Sequence, residues 1–383
     1  MDFELNKEQE AIRTAARDFA RGEFDREVAL EHERNHTFPK EIWKKACELG
    51  FIGIHFPEAY GGQDYGILEN ALVVEEFCRQ DSGFGVAVSL ADFASELILR
   101  FGTEEQKQAY LIPLTEGRMI SCGGFTEPDH GSDITLMNTT AVRNGDGWVI
   151  NGTKTFITNG TIGDYVSLLC QTDPDASPSY RGQSVILVER GTPGFTDADV
   201  GDKMGIKMTS TGELSFNNVR VPASNLIGEE NRGFYQVLEF FDESRIEIAA
   251  QALGIAQGAF DRALAYTKER KQFGKKLAQF QATQHKLADM ATKIETARLM
   301  VYKAAWNYDQ GRIDPKLTSM AKMYAARTAV EVADEAIQLH GGYGYMLEYE
   351  VERFYRDAKI MEIYEGTREI QKNTIASSLL GRL

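Results

Sequence analysis

Basic residues are in short supply here: 42 Lys and Arg face 57 Asp and Glu, a formal net charge of -15. A nucleic-acid groove needs a basic surface against phosphates, so the balance argues against one. It fits a soluble cytoplasmic protein kept dispersed by self-repulsion. Any site for a phosphorylated ligand must then be basic locally. Cysteine is scarce as well. Cys47, Cys78, Cys122 and Cys170 lie far apart with no C-x-x-C pair, which excludes a zinc knuckle or a redox dithiol. Idle thiols in a reducing compartment are the plain reading. No apolar run approaches the ~20 residues of a membrane span. The N-terminal stretch MDFELNKEQEAIRTAARDF is acidic and amphipathic, unlike a signal peptide.

Common catalytic signatures are missing too. The six histidines, His32, His36, His55, His130, His285 and His340, form no H-E-x-x-H or other close ligand pair, so no metal is expected. There is no G-x-S-x-G elbow and no Walker A loop. G-x-G-x-x-G fails because Gly83 and Gly85 are followed by Val88, and Gly342 and Gly344 by Leu347. A Rossmann site for NAD is therefore unsupported. Redox chemistry would need another cofactor, held another way.

What is present is an ordinary globular composition, 43% hydrophobic and 26% charged, in 383 residues. That length suits two or three domains. Residues 1–120 read as helical, with Ile12, Ala15, Ala16 and Phe19 on one face and Asn6 with Gln9 as a capping pair. HFPEAYGGQD is a turn-rich break, after which ENALVVEEFCRQ and ADFASELILRF resume a helical pattern. From 121 to 231 the pattern becomes short β runs: WVING, YVSLLCQT, SVILVE and LSFNNVRVP. Gly, Asp, Asn and Pro bound them, as in a compact antiparallel unit. From 232 to 383 the helical period returns. Leu287, Met290, Ile294, Ala297, Val301, Ala304 and Tyr308 recur at steps of 3 and 4, the seam of a helix bundle. The expected fold is α+β, with an N-terminal helical domain, a middle antiparallel β domain and a C-terminal four-helix bundle.

Six blocks follow one another along the chain: GGFTEPDHGSD, NGTKTFITNG, KMGIKMTSTGELSFNNVRVP, ERKQFGK, QLHGGYGY and RDAKIMEIYEGTREIQ. In order and spacing they resemble the acyl-CoA dehydrogenase family, flavoproteins that oxidise acyl-CoA thioesters, and the resemblance covers essentially the whole chain. It implies FAD as cofactor, an acyl-CoA substrate, an electron-transferring flavoprotein as electron acceptor, and a homotetramer. Small residues in FTEPDHGSD let backbone approach a flat ring, and Phe125, Thr126 and Ser132 match positions that meet the flavin and the thioester. Phe156 stands where many members carry Trp, keeping the face but losing the indole N–H, and Thr158 matches a flavin contact. Arg270 has the planar fork that suits a pyrophosphate. With Gln272 and Phe273 it matches residues that reach the FAD of a neighbouring subunit. Gln338 and Gly342 match the adenosine side. Asp242 and Arg245 match positions that hold CoA, although at three residues apart they also read as a simple ion pair.

The reaction implied needs a base for the proton beside the thioester carbonyl, with a buried, raised-pKa carboxylate best suited. Glu365 in YEGT matches the base of short- and medium-chain members, with Tyr364 and Gly366 beside the substrate and Thr367 and Gln371 at the FAD. Other branches place the base where this chain has Ser244. Glu243 is one position off, turned by ~100° on a helix. Asp92, in VSLADFASELIL, stands on a segment that faces the acyl group in the family. It reads either as a solvent-facing acid or as a second acid/base for an alicyclic or otherwise unusual acyl group. An acyl-CoA oxidase-type relative and a non-catalytic acyl-CoA-binding helical protein are the alternatives. Peroxide formation in air would mark the first and a colourless protein the second.

Overall fold

The computed structural model describes residues 4–381, so the first three residues of the amphipathic N-terminal stretch lie outside it. Seven helices come first: α1 (Lys7–Glu23), α2 (Arg26–Asn35), α3 (Lys40–Glu48), α4 (Ile67–Gln80), α5 (Ser82–Ser89), α6 (Glu96–Phe101) and α7 (Glu104–Thr115). Asn6 caps α1 as its sequence indicates. Its side chain accepts the Gln9 N–H at 2.9 Å, and the Gln9 side chain accepts the Asn6 N–H at 3.0 Å. The buried face is Ala16, Phe19 and Ala20, while Ala15 is exposed. The helical pattern across ADFASELILRF is a helix only from Glu96. Residues 91–95 form turns, with Ala94 at φ 69, so Asp92 sits on a turn rather than a helix.

Eight strands follow: β1 (Ser121–Gly124), β2 (Thr140–Asn144), β3 (Gly147–Thr158), β4 (Tyr165–Gln171), β5 (Gln183–Glu189), β6 (Phe195–Asp199), β7 (Thr211–Pro222) and β8 (Leu226–Ile227). They form one sheet in the order β6-β7-β3-β2-β4-β5-β8, with β1 beside β4. The sheet is mixed rather than purely antiparallel, because β4 runs parallel to both β1 and β2. All seven residues of β4 are buried, as expected of a strand covered on both faces. Between Lys154 and Ile157 the β3–β7 register slips, and Phe156 takes φ 57 in that bulge. A bulge turns a side chain off its strand face, and Phe156 is 69% exposed.

The chain then forms α8 (Gly233–Glu269), a tight hairpin of β9 (Lys271–Gln272) and β10 (Lys275–Lys276), α9 (Gln281–Asp309), α10 (Pro315–His340), α11 (Val351–Ile360) and α12 (Arg368–Leu380). Three helices are long and two short, so the bundle is less even than four equal helices. Phe-Asp-Glu-Ser-Arg at 241–245 lies inside α8, which begins earlier, at Gly233. The seam behaves as its spacing requires, with Met290, Ile294, Ala297, Val301 and Ala304 buried. Helix α4 of the first part lies against α8, where a Cβ on Gly254 or Gly258 would stand 2.3 Å from the carbonyl oxygen of Glu75 or Arg79. Asp309, at the end of α9, accepts the N–H groups of Ile67 and Leu68 at 2.7 and 3.0 Å and so caps α4. These contacts fix the first part against the bundle.

Candidate active site

The turn between α11 and α12 carries YEGT. Glu365 has φ 54 and Gly366 φ 90, two successive residues in the left-handed region. That conformation is costly for a glutamate, and such residues persist only where their surroundings enforce them. Here the enforcement is a set of hydrogen bonds to three successive carbonyls. Lys322, buried on α10, donates to Tyr364 O at 2.6 Å and Gly366 O at 2.8 Å. The Gln371 Nε2 donates to Glu365 O at 2.9 Å and Gly366 O at 3.0 Å. Arg245 on α8 reaches Glu365 O at 3.4 Å. A Cβ on Gly366 would lie 2.7 Å from Gln371 Nε2, so glycine here serves the turn's own packing.

The Glu365 carboxylate accepts the Ser244 hydroxyl at 2.6 Å. The two alternative base positions of the sequence reading therefore face one another, with the acid on the turn and the hydroxyl on the helix. Burial raises the Glu365 pKa, against the Ser244 hydrogen bond and the charges of Arg245 and Lys322. A carboxyl held this way is a stronger base than a solvated one once ionised. Tyr364 donates to Gln251 Oε1 at 2.6 Å, which fixes its ring beside the base. Thr367 caps α12, its hydroxyl accepting the Ile370 N–H at 3.4 Å.

Several sequence candidates are placed differently from their first reading. Gln371 is fully buried with its amide nitrogen engaged in the turn, because the first turn of α12 folds it under Glu365. Its Oε1 alone lacks a partner. Asp242 and Arg245 are not joined by an ion pair among the described residues. Arg245 turns to the Glu365 turn and over the Phe241 ring, 5.5 Å from its centroid. The Phe125 side chain packs inward against Phe93, Phe240 and Phe241. Thr126 is partly buried and Ser132 is exposed on the same loop. Thr158, partly buried, ends β3 two residues after the exposed Phe156. Arg270, Gln272, Gln338 and Gly342 line one groove of about 500 Å³, and Arg270 lies 5.2 Å from the centroid of the Tyr343 ring. Phe273, at the hairpin tip, is 93% exposed.

Asp92 does not face solvent; it is buried, and its oxygen lies within 4.8 Å of those of Glu96 and Glu247. Burial pushes its carboxyl up to about 7, against backbone N–H groups of Asp92 and Gly53. Glu96 and Glu247 are also raised, first by burial and then by their acidic neighbours. Beyond Glu96 stands His55, its Nε2 3.9 Å from Glu96 and 3.4 Å from Glu243. Glu243 in turn meets Arg100 and accepts the Tyr308 hydroxyl at 3.1 Å. Sequence reasoning missed this cluster, since its members come from four separate segments. The one available signal was the density of acids at 239, 242, 243 and 247 on an otherwise apolar helix.

Comparison with known proteins agrees with the geometry along the whole chain. Residues 6–118, 122–219 and 231–380 match, in turn, the N-terminal, middle and C-terminal domain families of acyl-CoA dehydrogenase. The short-chain specific acyl-CoA dehydrogenase of Clostridium acetobutylicum is 44% identical over 380 residues, 99% of this chain and 100% of that relative. The caffeyl-CoA reductase–Etf complex subunit CarC of Acetobacterium woodii is 41% identical over 377 residues, 98% of this chain and 99% of that relative. The solved butyryl-CoA dehydrogenase of Megasphaera elsdenii superposes with a TM-score of 0.95 at 41% identity, covering 99% of this chain and 100% of the other. With the same three-part fold, and relatives above 40% identity from end to end, the chain belongs to the acyl-CoA dehydrogenase family.

Proposed function

We propose that this chain takes a proton and a hydride from adjacent carbons of an acyl-CoA thioester, with Glu365 as the base. The observation that carries this reading is the Glu365 carboxyl itself. It has a raised pKa, is fixed by Ser244, and sits on a turn held from beneath by Lys322, Gln371 and Arg245. As the α-proton leaves, negative charge grows on the thioester oxygen. Donors preset around that oxygen stabilise it more than they stabilise the ground state. The Glu365 N–H is one such donor.

The residues present suit a flavin dinucleotide. Phe156 offers an exposed face, Thr126, Thr158 and Ser132 offer polar contacts, and Gln371 Oε1 is a buried acceptor without a partner. Arg270, Gln272, Phe273, Gln338 and Gly342 would hold the dinucleotide of a neighbouring subunit, and Thr367 a nearer part. When bound, FAD supplies the acceptor for the hydride. The exposed Phe273 supports shared sites in a homotetramer, because an aromatic tip 93% open to solvent is covered when a second copy docks. Asp242 and Arg245 would hold CoA from α8. An electron-transferring flavoprotein is the proposed electron partner, supported by the Etf-complex relative. That relative is a reductase by name, and a site of this kind serves either direction.

Asp92 is proposed as a second acid/base in the acyl pocket. A charged side chain there is costly, but a carboxyl titrating at about 7 is neutral in much of the population at neutral pH. An alicyclic acyl group would present a further acidic carbon to it. The test is anaerobic mixing of the purified protein with short linear, branched, dicarboxylic and cyclic acyl-CoAs. At least one bleaches the bound flavin, and little peroxide forms in air. No bleaching by any acyl-CoA would overturn the reading, and rapid peroxide formation would point to the oxidase alternative.

A further inference from the structure

Lys322 has no place in the chemistry so far, yet its side chain is closed off from solvent. Its ammonium faces Glu365 and Glu362 from the α11–α12 turn and Arg245 from α8, and burial lowers its pKa to about 7. A core lysine is costly to keep unless its hydrogen bonds matter. The two it makes go to the carbonyls on either side of Glu365.

A trans peptide is planar, with C=O and N–H pointing opposite ways. Binding Tyr364 O on one side therefore turns the Glu365 N–H to the other. Binding Gly366 O does the same for the Thr367 N–H. With Glu365 O drawn the same way by Gln371 and Arg245, three consecutive carbonyls are gathered beneath the turn. Among the described residues, none of the N–H groups of Glu365, Gly366 and Thr367 has an acceptor. Successive free N–H groups of this kind form an anion-facing concavity.

We infer that Lys322 is a positioning residue, which by holding the carbonyls of Tyr364 and Gly366 aims the Glu365 N–H at the thioester oxygen and strengthens it as a donor. The inference rests on the reading of Glu365 as base. In the step concerned the α-C–H bond breaks and an O–H bond forms on Glu365. The electron pair moves to the thioester oxygen as an enolate, and it would return to form the C=C bond once a bound flavin supplied an acceptor for the hydride of the next carbon.

The test uses flavin-loaded Lys322→Met, Lys322→Gln and Glu365→Gln beside the unmodified enzyme, with acetoacetyl-CoA as probe. Ultraviolet absorbance of the bound enolate gives its apparent pKa, a readout that a purely structural lysine would leave alone. Lys322→Met is expected to raise that pKa by about 1, a tenfold loss of enolate. It is also expected to slow anaerobic flavin reduction by roughly 10- to 100-fold, short of losing a whole oxyanion donor. Lys322→Gln keeps an uncharged donor and recovers part of both. If Lys322→Met does not fold, Lys322→Gln decides alone, through an enolate pKa above that of the unmodified enzyme. An unchanged enolate pKa in every folded Lys322 variant overturns the inference. Glu365→Gln reducing at the normal rate would instead overturn the base assignment beneath it.

Discussion

Asp92 is the residue whose environment has the clearest consequence outside catalysis. Its carboxyl is raised from 3.8 to about 7 in the folded protein. The native state therefore holds a proton that the unfolded chain has released. Stability from this group is complete below about 4, the range of a free carboxyl, and is lost as pH rises through about 7. Asp92→Asn removes that dependence. Thermal unfolding at pH 5 and pH 8 should show the variant gaining on the unmodified protein at the higher pH. Equal differences at both would contradict the burial argument. The same variant tests the second acid/base: unchanged turnover of cyclic and linear acyl-CoAs alike removes Asp92 from the chemistry. Glu365, the proposed base, stands out in the sequence because YEGT is a local motif. Lys322, Gln371 and Arg245 were not legible as its supports, since they come from α10, α12 and α8. A histidine count likewise missed His55, whose acidic partners lie 41 and 188 residues further along.

Helices and strands were read well where one period dominated. The α9 seam and the strands β3, β4, β5 and β7 stand where their patterns put them. Strands β1, β2, β6 and β8 were missed because they are short or half-exposed, so neighbours rather than their own sequence define them. The parallel pairing of β4 was also hidden, because register is a tertiary property. Helix α8 shows a further limit. Gly254 and Gly258 look like weak points in a 37-residue helix, yet α4 lies against them. Gly254→Ala would place a methyl 2.3 Å from the Glu75 carbonyl. Overpacking of this sort costs about 1–3 kcal/mol, outweighing the better helix propensity of alanine, and should appear as a lowered Tm. A raised Tm would mean that the helices separate freely, contrary to this packing.

At the scale of the whole molecule, three differently patterned parts become one body because helices of the first part lie on the bundle. Asp309 capping α4 and the glycines of α8 are the joints. Among the described residues no helix is long and apolar enough to cross a membrane. Arg270 puts a cation in its groove on a chain of net charge -15, the local positive charge that the proposed phosphorylated cofactor would need. The proposed chemistry depends most on one carboxylate. The direct measurement is stopped-flow absorbance of the flavin after anaerobic mixing of Glu365→Gln with the acyl-CoA that best reduces the unmodified enzyme. Bound yellow flavin with reduction slowed by roughly 10²- to 10⁴-fold is the outcome expected for loss of a general base. Reduction at the unmodified rate would contradict the assignment of Glu365.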